Sequence, residues 1–353
     1  MADAAMIAPQ ISILKTMWSR EKGTWAISGM RALELHPKAN CDPDYFSIES
    51  RIELLSQGQF NNLEQVMASV GPTEFLLRQS IVPVVAWRQG DDAIRCIGTG
   101  SLISCSGLIV TAGHVLMDPI EAGYGVAYKN NEPRIHDELN FGVFIPFVDP
   151  LGRQGLGYFP IREYWVWAHW KKSPLLFEPD RLEYRTDVAV CKIDELPNGL
   201  AHQPLNMSLN PFSIGEAAYS IGYAEMSDIP IEYKDGKLRI AKHAAKLFVS
   251  IGEVTNLFPQ NHIEKASSVP GPCFTFEAKI PGKMSGAPVF GGEGAIIRGV
   301  ISKSWSGERD ASGVMLGPAM RLPLNQPGET GRTLLSLMHD KTEGIGQVFG
   351  AGL

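Results

Sequence analysis

From Ile81 onward the apolar residues fall into short runs separated by Gly, Pro, Asn and Ser. Runs of this length, rich in Ile, Leu and Val and bounded by turn residues, predict β-strands. The first is Ile81-Val82-Pro83-Val84-Val85-Ala86-Trp87, with its proline near the start, where a missing N–H costs the ladder least. Strands are predicted at 94–104, 107–110, 141–148, 163–170 and 187–193. A second series covers 217–223, 246–251, 274–280, 289–290, 295–301 and 314–322. Gly/Pro-rich connectors lie at 150–160 and 173–181. Many short strands with turns between them predict barrels or a sandwich, not a βαβ sheet.

The first 79 residues read differently. Ser47 to Leu55 and Asn62 to Val70 carry apolar residues at roughly helical spacing, and Gly71-Pro72 closes the second run. The segment reads either as an extension packed on the main body or as a regulatory or partner-binding arm. Thr333 to Met338 predicts one closing helix. No repeat or low-complexity segment is visible.

Composition narrows the class. The 353 residues are 44% hydrophobic and the mean hydropathy is −0.04, as expected of a soluble globular chain with room for two barrels. The net charge of −6, without a basic run, argues against nucleic acid as a partner. No apolar stretch is long enough for a bilayer, and residues 1–10 lack the pattern of a signal peptide. Cys41, Cys96, Cys105, Cys191 and Cys273 are odd in number, and no CxxC occurs. This predicts free thiols in a reducing, cytoplasmic setting and no zinc knuckle. No HExxH, P-loop or GxGxxG after a strand is present, so no metal or organic cofactor is expected.

Three patches carry chemistry. In Pro281-Gly282-Lys283-Met284-Ser285-Gly286-Ala287-Pro288-Val289-Phe290 a serine sits among small residues before an apolar strand. Such a loop exposes a hydroxyl and leaves backbone N–H groups free beside it. A serine needs a base. Of eight histidines only His114, in Thr111-Ala112-Gly113-His114, follows a strand end made of small residues. A base needs an orienting carboxylate, and Asp187 opens Val188-Ala189-Val190, apolar company that calls for a partner. Each has a bland reading: an ordinary turn serine, a satisfied core histidine, a strand-start aspartate. His169 lies in an aromatic strand, where packing suffices to explain it. Asp180 and Asp194 have polar, turn-like neighbours.

In the order His, Asp, Ser these patches resemble the chymotrypsin/trypsin-like serine protease superfamily, nearest its disulfide-free, intracellular bacterial and viral branch. Gly98-Thr99-Gly100-Ser101-Leu102-Ile103-Ser104 before His114, Thr186-Asp187-Val188-Ala189-Val190, Ile214 to Tyr223, and Met284 to Val289 carry the resemblance over residues 80–325. It implies an all-β fold of two six-stranded antiparallel barrels, residues 80–208 with His114 and Asp187, and 209–325 with Ser285. Residues 1–79 form a partly helical extension and 326–353 a closing helix and tail. The stretch between His114 and Asp187 is long for the family and implies an insertion within 118–165.

The resemblance implies roles. Ser285 is the nucleophile, His114 the base, Asp187 its orienter, and the N–H groups of Lys283 and Ser285 the oxyanion hole. Ser302 supports Asp187 and lines the cleft. Lys279 falls near the base of the substrate pocket and Lys303 on its wall, which favours an acidic or polar side chain unless both point to solvent.

Three departures matter. Lys283 replaces the usual glycine, Met284 replaces the aspartate of the zymogen switch, and Gly98 and Val115 replace a cysteine pair. The expected partners are a protein or peptide substrate and a regulatory protein or effector. Two rivals remain. One is a protease fold kept as a peptide-binding scaffold. The other, an α/β-hydrolase using Ser285, Asp310 and His339, lacks G-x-S-x-G and the strand–helix alternation.

Overall fold

The computed structural model describes residues 11–35, 38–39, 45–49, 77–118, 127–129, 132–134, 139–148, 154–171, 181–194, 196, 203–224, 226–234, 237–240, 246–259, 269–291, 296–304, 309–325 and 330–350. Twelve strands form two closed, six-stranded antiparallel barrels. Barrel one contains β1 (Ile81–Arg88), β2 (Ala93–Leu102), β3 (Leu108–Ala112), β4 (Leu139–Val148), β5 (Gln154–Lys171) and β6 (Arg181–Ile193). They run β2-β1-β4-β5-β6-β3, and β2 pairs β3 to close the ring. Barrel two contains β7 (Ala217–Tyr223), β8 (Lys246–Phe258), β9 (Cys273–Phe276), β10 (Pro288–Gly291), β11 (Ile297–Ser304) and β12 (Ala311–Met315). Their order is β7-β10-β11-β12-β9-β8, closed by β7 on β8.

Closure gives every strand of each ring a hydrogen-bonded neighbour on both sides over part of its length. Each interior is filled by alternating inward residues. Val82, Val84, Ile97, Ile109, Val143 and Ala189 fill barrel one, and Phe248, Phe274, Phe276, Val289 and Ile301 fill barrel two. A third cluster joins the barrels and draws on Val85, Val110, Val190, Tyr219, Ile221, Phe290 and Val300.

The N-terminal part differs from the helical reading. Ile11–Glu21 and Thr24–Leu35 form an antiparallel hairpin. Its turn residues, Lys22 and Gly23, have φ of 48° and 87°, as the tight turns matched to strand twist require. Ile11, Ile13, Leu33 and Leu35 are buried in the inter-barrel cluster, and the Tyr219 hydroxyl donates to the Ser12 carbonyl at 3.4 Å. The helix expected from Ser47 does not begin there. Tyr45–Glu49 is a strand, paired with Lys246–Ser250 of β8. That stretch of β8 lies before the part that β9 covers, so its backbone groups need another partner. Residues 50–76, with the second expected helix, lie outside the described residues.

Other differences are local. The strand expected to run to Leu322 stops at Met315, and a short helix, Gly317–Met320, follows with Pro318 in its first turn. The closing helix spans Leu334–Leu337, capped by Thr333. Part of the additional length before Asp187 forms a small hairpin, Ala127–Lys129 with Glu132–Arg134, and β5 extends over 18 residues. Cys96, Cys105, Cys191 and Cys273 are buried free thiols, and burial raises Cys96 to about 12. No helix among the described residues is long and apolar enough to cross a membrane.

Candidate active site

Strand register builds the first half of the site. Val188 of β6 pairs Ala112 of β3, so Asp187 comes level with the residues that leave β3. There the chain turns into a single helical turn, α1 (Gly113–Met117), whose second residue is His114. The Asp187 carboxylate accepts from the backbone N–H of His114 at 2.8 Å through Oδ1. Its Oδ2 lies 2.7 Å from His114 Nδ1. A carboxylate can only accept, so Nδ1 carries the proton and Nε2 is left as an acceptor. A side chain at Gly113 would crowd this pair, its Cβ 3.1 Å from Asp187 Oδ1.

Asp187 is only 4% exposed. A carboxylate that deeply placed needs several donors, and the third comes from barrel two. Ser302 Oγ donates to Asp187 Oδ2. The β11–β12 register shifts between Ile301 and Lys303, and a bulge of this kind re-aims the side chain it contains. Ser302 is therefore turned toward the aspartate.

The serine half is a loop. Gly286, at φ 81°, packs into β2 and β3, where a Cβ would lie 2.1 Å from Thr111 Oγ1 and 2.2 Å from the Thr99 carbonyl oxygen. Only glycine fits both the conformation and the space. Its N–H donates to the Ile301 carbonyl at 2.7 Å, and Ile301 N–H donates to Ala287 at 2.9 Å. Ser285 is tied to barrel one through its own carbonyl, which accepts from Thr99 N–H at 2.8 Å. These contacts bring the serine loop against Ala112, two residues before His114, and against Ser302. Ser285 is half-buried, and its hydroxyl makes no hydrogen bond among the described residues.

The backbone N–H groups of Lys283 and Ser285 donate no hydrogen bond among the described residues, whereas those of Gly286 and Ala287 do. Two unspent donors two residues apart beside a serine can bind a developing oxyanion. Lys283 has φ of 76°, a left-handed conformation that costs a non-glycine residue about 1–2 kcal/mol. The pair that replaces the family's cysteines is in contact: a Cβ on Gly98 would meet Val115 methyls at 2.8 Å.

Of the expected site residues, His114, Asp187, Ser302 and the 283–286 loop come together. Lys279 is half-buried beyond the end of β9, and Lys303 is exposed on β11. His169 is far out on β5, exposed, with its Nε2 3.6 Å from Glu183 Oε2. A cavity of about 370 Å³ opens where β4 and β5 diverge, lined by Trp87, Phe141, Tyr158 and Arg162, and includes none of the expected site residues. Sequence reasoning assigned no role to Thr99, whose burial marks it only in the structure.

The sequence matches the family model of the trypsin-like peptidase domain over residues 98–297. The chain belongs to the trypsin-like peptidases, and its barrels are those of the chymotrypsin-like fold. Among curated proteins, none matches. Similar solved structures include Deg5, at 17% identity and TM-score 0.41 over 70% of this chain and 89% of that one. The protease Anisep from Arthrobacter nicotinovorans is similar at 18% identity and TM-score 0.39, over 67% and 90%. The thermostable serine protease AL20 from an extremophilic microorganism aligns at 14% identity and TM-score 0.40, over 68% and 92%.

Proposed function

We propose that this peptidase is a serine endopeptidase acting through Ser285, His114 and Asp187. The observation that carries the reading is the buried Asp187, held by His114 N–H, His114 Nδ1 and Ser302 Oγ beside a loop that presents Ser285. Ser285 Oγ attacks the carbonyl carbon of the scissile bond while Nε2 of His114 takes its proton. The C=O π pair moves to oxygen, and the N–H groups of Lys283 and Ser285 stabilise that charge. The C–N bond then breaks, and the departing amine takes the proton from His114. Water repeats the sequence on the acyl-enzyme, with His114 again the base, and releases the acid and the free serine. Asp187 keeps the imidazole in the tautomer that these steps need and stabilises its charged form.

The substrate is an extended protein or peptide. If Lys279, which is half-buried, faces the bound peptide, it favours an acidic or polar side chain over a basic one, whereas Lys303 is exposed on β11. A peptidase without the aspartate-based zymogen switch also needs restraint, by a partner, an effector or its N-terminal segment.

The test is cleavage of a peptide library read by mass spectrometry, wild type against Ser285→Ala, together with labelling by a fluorophosphonate. Cleavage and labelling that vanish in the variant support the reading. An unlabelled wild-type chain that still binds peptides points to the scaffold instead, and cleavage after Arg or Lys contradicts the pocket preference.

A further inference from the structure

We infer that Thr99 is a positioning residue that holds the oxyanion-forming loop in its working shape against the backbone preference of Lys283. The inference rests on the serine-peptidase reading and adds to it a residue in barrel one.

Thr99 is fully buried in β2 and all its polar groups are used. Its N–H donates to the Ser285 carbonyl at 2.8 Å. Its carbonyl accepts from Thr111 Oγ1 at 2.7 Å. Its hydroxyl donates to the Lys283 carbonyl at 3.3 Å and accepts from Tyr223 N–H at 3.0 Å. The direction of the hydroxyl is forced, because a backbone N–H can only donate and a carbonyl can only accept. The absence of a side chain at Gly222 lets β7 come this close, for a Cβ there would be 2.7 Å from Ala287 Cβ and 3.1 Å from Thr99 Oγ1. One side chain thus joins barrel one, the first strand of barrel two and the serine loop.

Lys283 stands at φ 76°, a conformation its side chain disfavours. It can leave by two movements. In one, the Gly282–Lys283 peptide turns over and takes the Lys283 N–H away from the hole. In the other, the carbonyl side swings and carries Met284 and Ser285 with it. Peptide units are rigid planes, so fixing the oxygen atoms of residues 283 and 285 blocks the second movement. Thr99 fixes both oxygens. The Gly282–Lys283 flip remains open, and it gives the loop a latent state. With glycine at 283 neither movement would be driven by a side chain, and the threonine hydroxyl would matter less.

The experiment compares wild type with Thr99→Val, Thr99→Ser, Lys283→Gly and the double variant Thr99→Val/Lys283→Gly. It reads fluorophosphonate labelling rate, kcat and KM on a cleaved peptide, and amide hydrogen exchange across residues 282–287. Valine keeps the shape of threonine without the hydroxyl, and serine keeps the hydroxyl. Thr99→Val is expected to lower labelling rate and kcat about ten- to hundredfold with KM little changed, and to speed exchange in the loop. Thr99→Ser stays near wild type, and Lys283→Gly restores the valine variant.

A valine variant with wild-type rates and exchange overturns the inference. So does a serine variant as impaired as the valine one, or a double variant no better than Thr99→Val. If no chain labels at all, the peptidase reading fails, and unchanged exchange in Thr99→Val would still show separately that Thr99 does not hold the loop.

Discussion

Barrel one presents His114 and Asp187 at the ends of regular, paired elements, whereas barrel two presents Ser285 on a loop with left-handed residues at 283 and 286. On the first side, register alone brings the carboxylate to the imidazole, and hydrogen bonds fix both groups before any substrate arrives. On the second, the loop conformation has no ladder of its own over residues 283–286. It is held by bonds to Thr99 in barrel one and to Ile301 in β11. The two barrels also exchange support, since Ser302 from barrel two completes the shell of Asp187. The His114–Asp187 pair is therefore preorganised by secondary structure. The serine loop is preorganised by contacts across the inter-barrel seam.

The largest effect belongs to the rigid half. Asp187→Asn keeps the volume but presents an amide N–H₂ to a shell of donors, so the imidazole loses the tautomer that keeps Nε2 unprotonated. A kcat loss of about 10³–10⁴-fold is expected from the triad template, with unfolding temperature changed far less than activity. Steady-state kinetics on purified protein check it. A loss below tenfold would mean that Asp187 is structural only.

Next comes the underpinning of the seam. Leu33, in the N-terminal hairpin, is 3% exposed in the same cluster as Tyr219 and Phe290. Leu33→Ala is expected to cost about 2–5 kcal/mol in urea unfolding. An unchanged midpoint would mean that the hairpin is an arm and not part of the body.

Ser302→Ala probes the exchange between halves and has the smallest effect. Removing the donor leaves Asp187 with two partners instead of three, for a loss of about 1–3 kcal/mol in stability. A fall of about tenfold in kcat with KM preserved should accompany it, because the charge-assisted support of the aspartate is gone. Equal loss in KM and kcat would assign Ser302 to substrate contact instead.

Most of the barrel framework was legible because β-strands inside a closed barrel carry local apolar runs. Twelve predicted runs correspond to the twelve strands with shifted ends. Ends moved where tertiary pairing or a turn residue won: the run expected over 314–322 left the strand after Met315 and turned helical at Gly317-Pro318, and 274–280 ended at Phe276. The convergence of His114 and Asp187 was legible from small residues after one strand and a carboxylate at the head of another. The N-terminal pairing was not. Tyr45–Glu49 joins β8, some 200 residues away in the chain, and helical spacing over so short a run cannot compete with an open backbone edge. Ile11-Ser12-Ile13 and Leu33-Glu34-Leu35 do alternate in period two, a signal that could have revealed the hairpin. The left-handed φ of Lys283 was signalled only by the resemblance, which places a glycine there, since nothing in lysine itself forces a conformation it disfavours.

The most direct measurement is the intact mass of the protein after reaction with a fluorophosphonate, followed by peptide mapping of the adduct. One phosphonyl group on Ser285, absent from Ser285→Ala and strongly slowed in His114→Ala, is the predicted result. An adduct on another residue, or equal labelling of wild type and His114→Ala, would contradict the account.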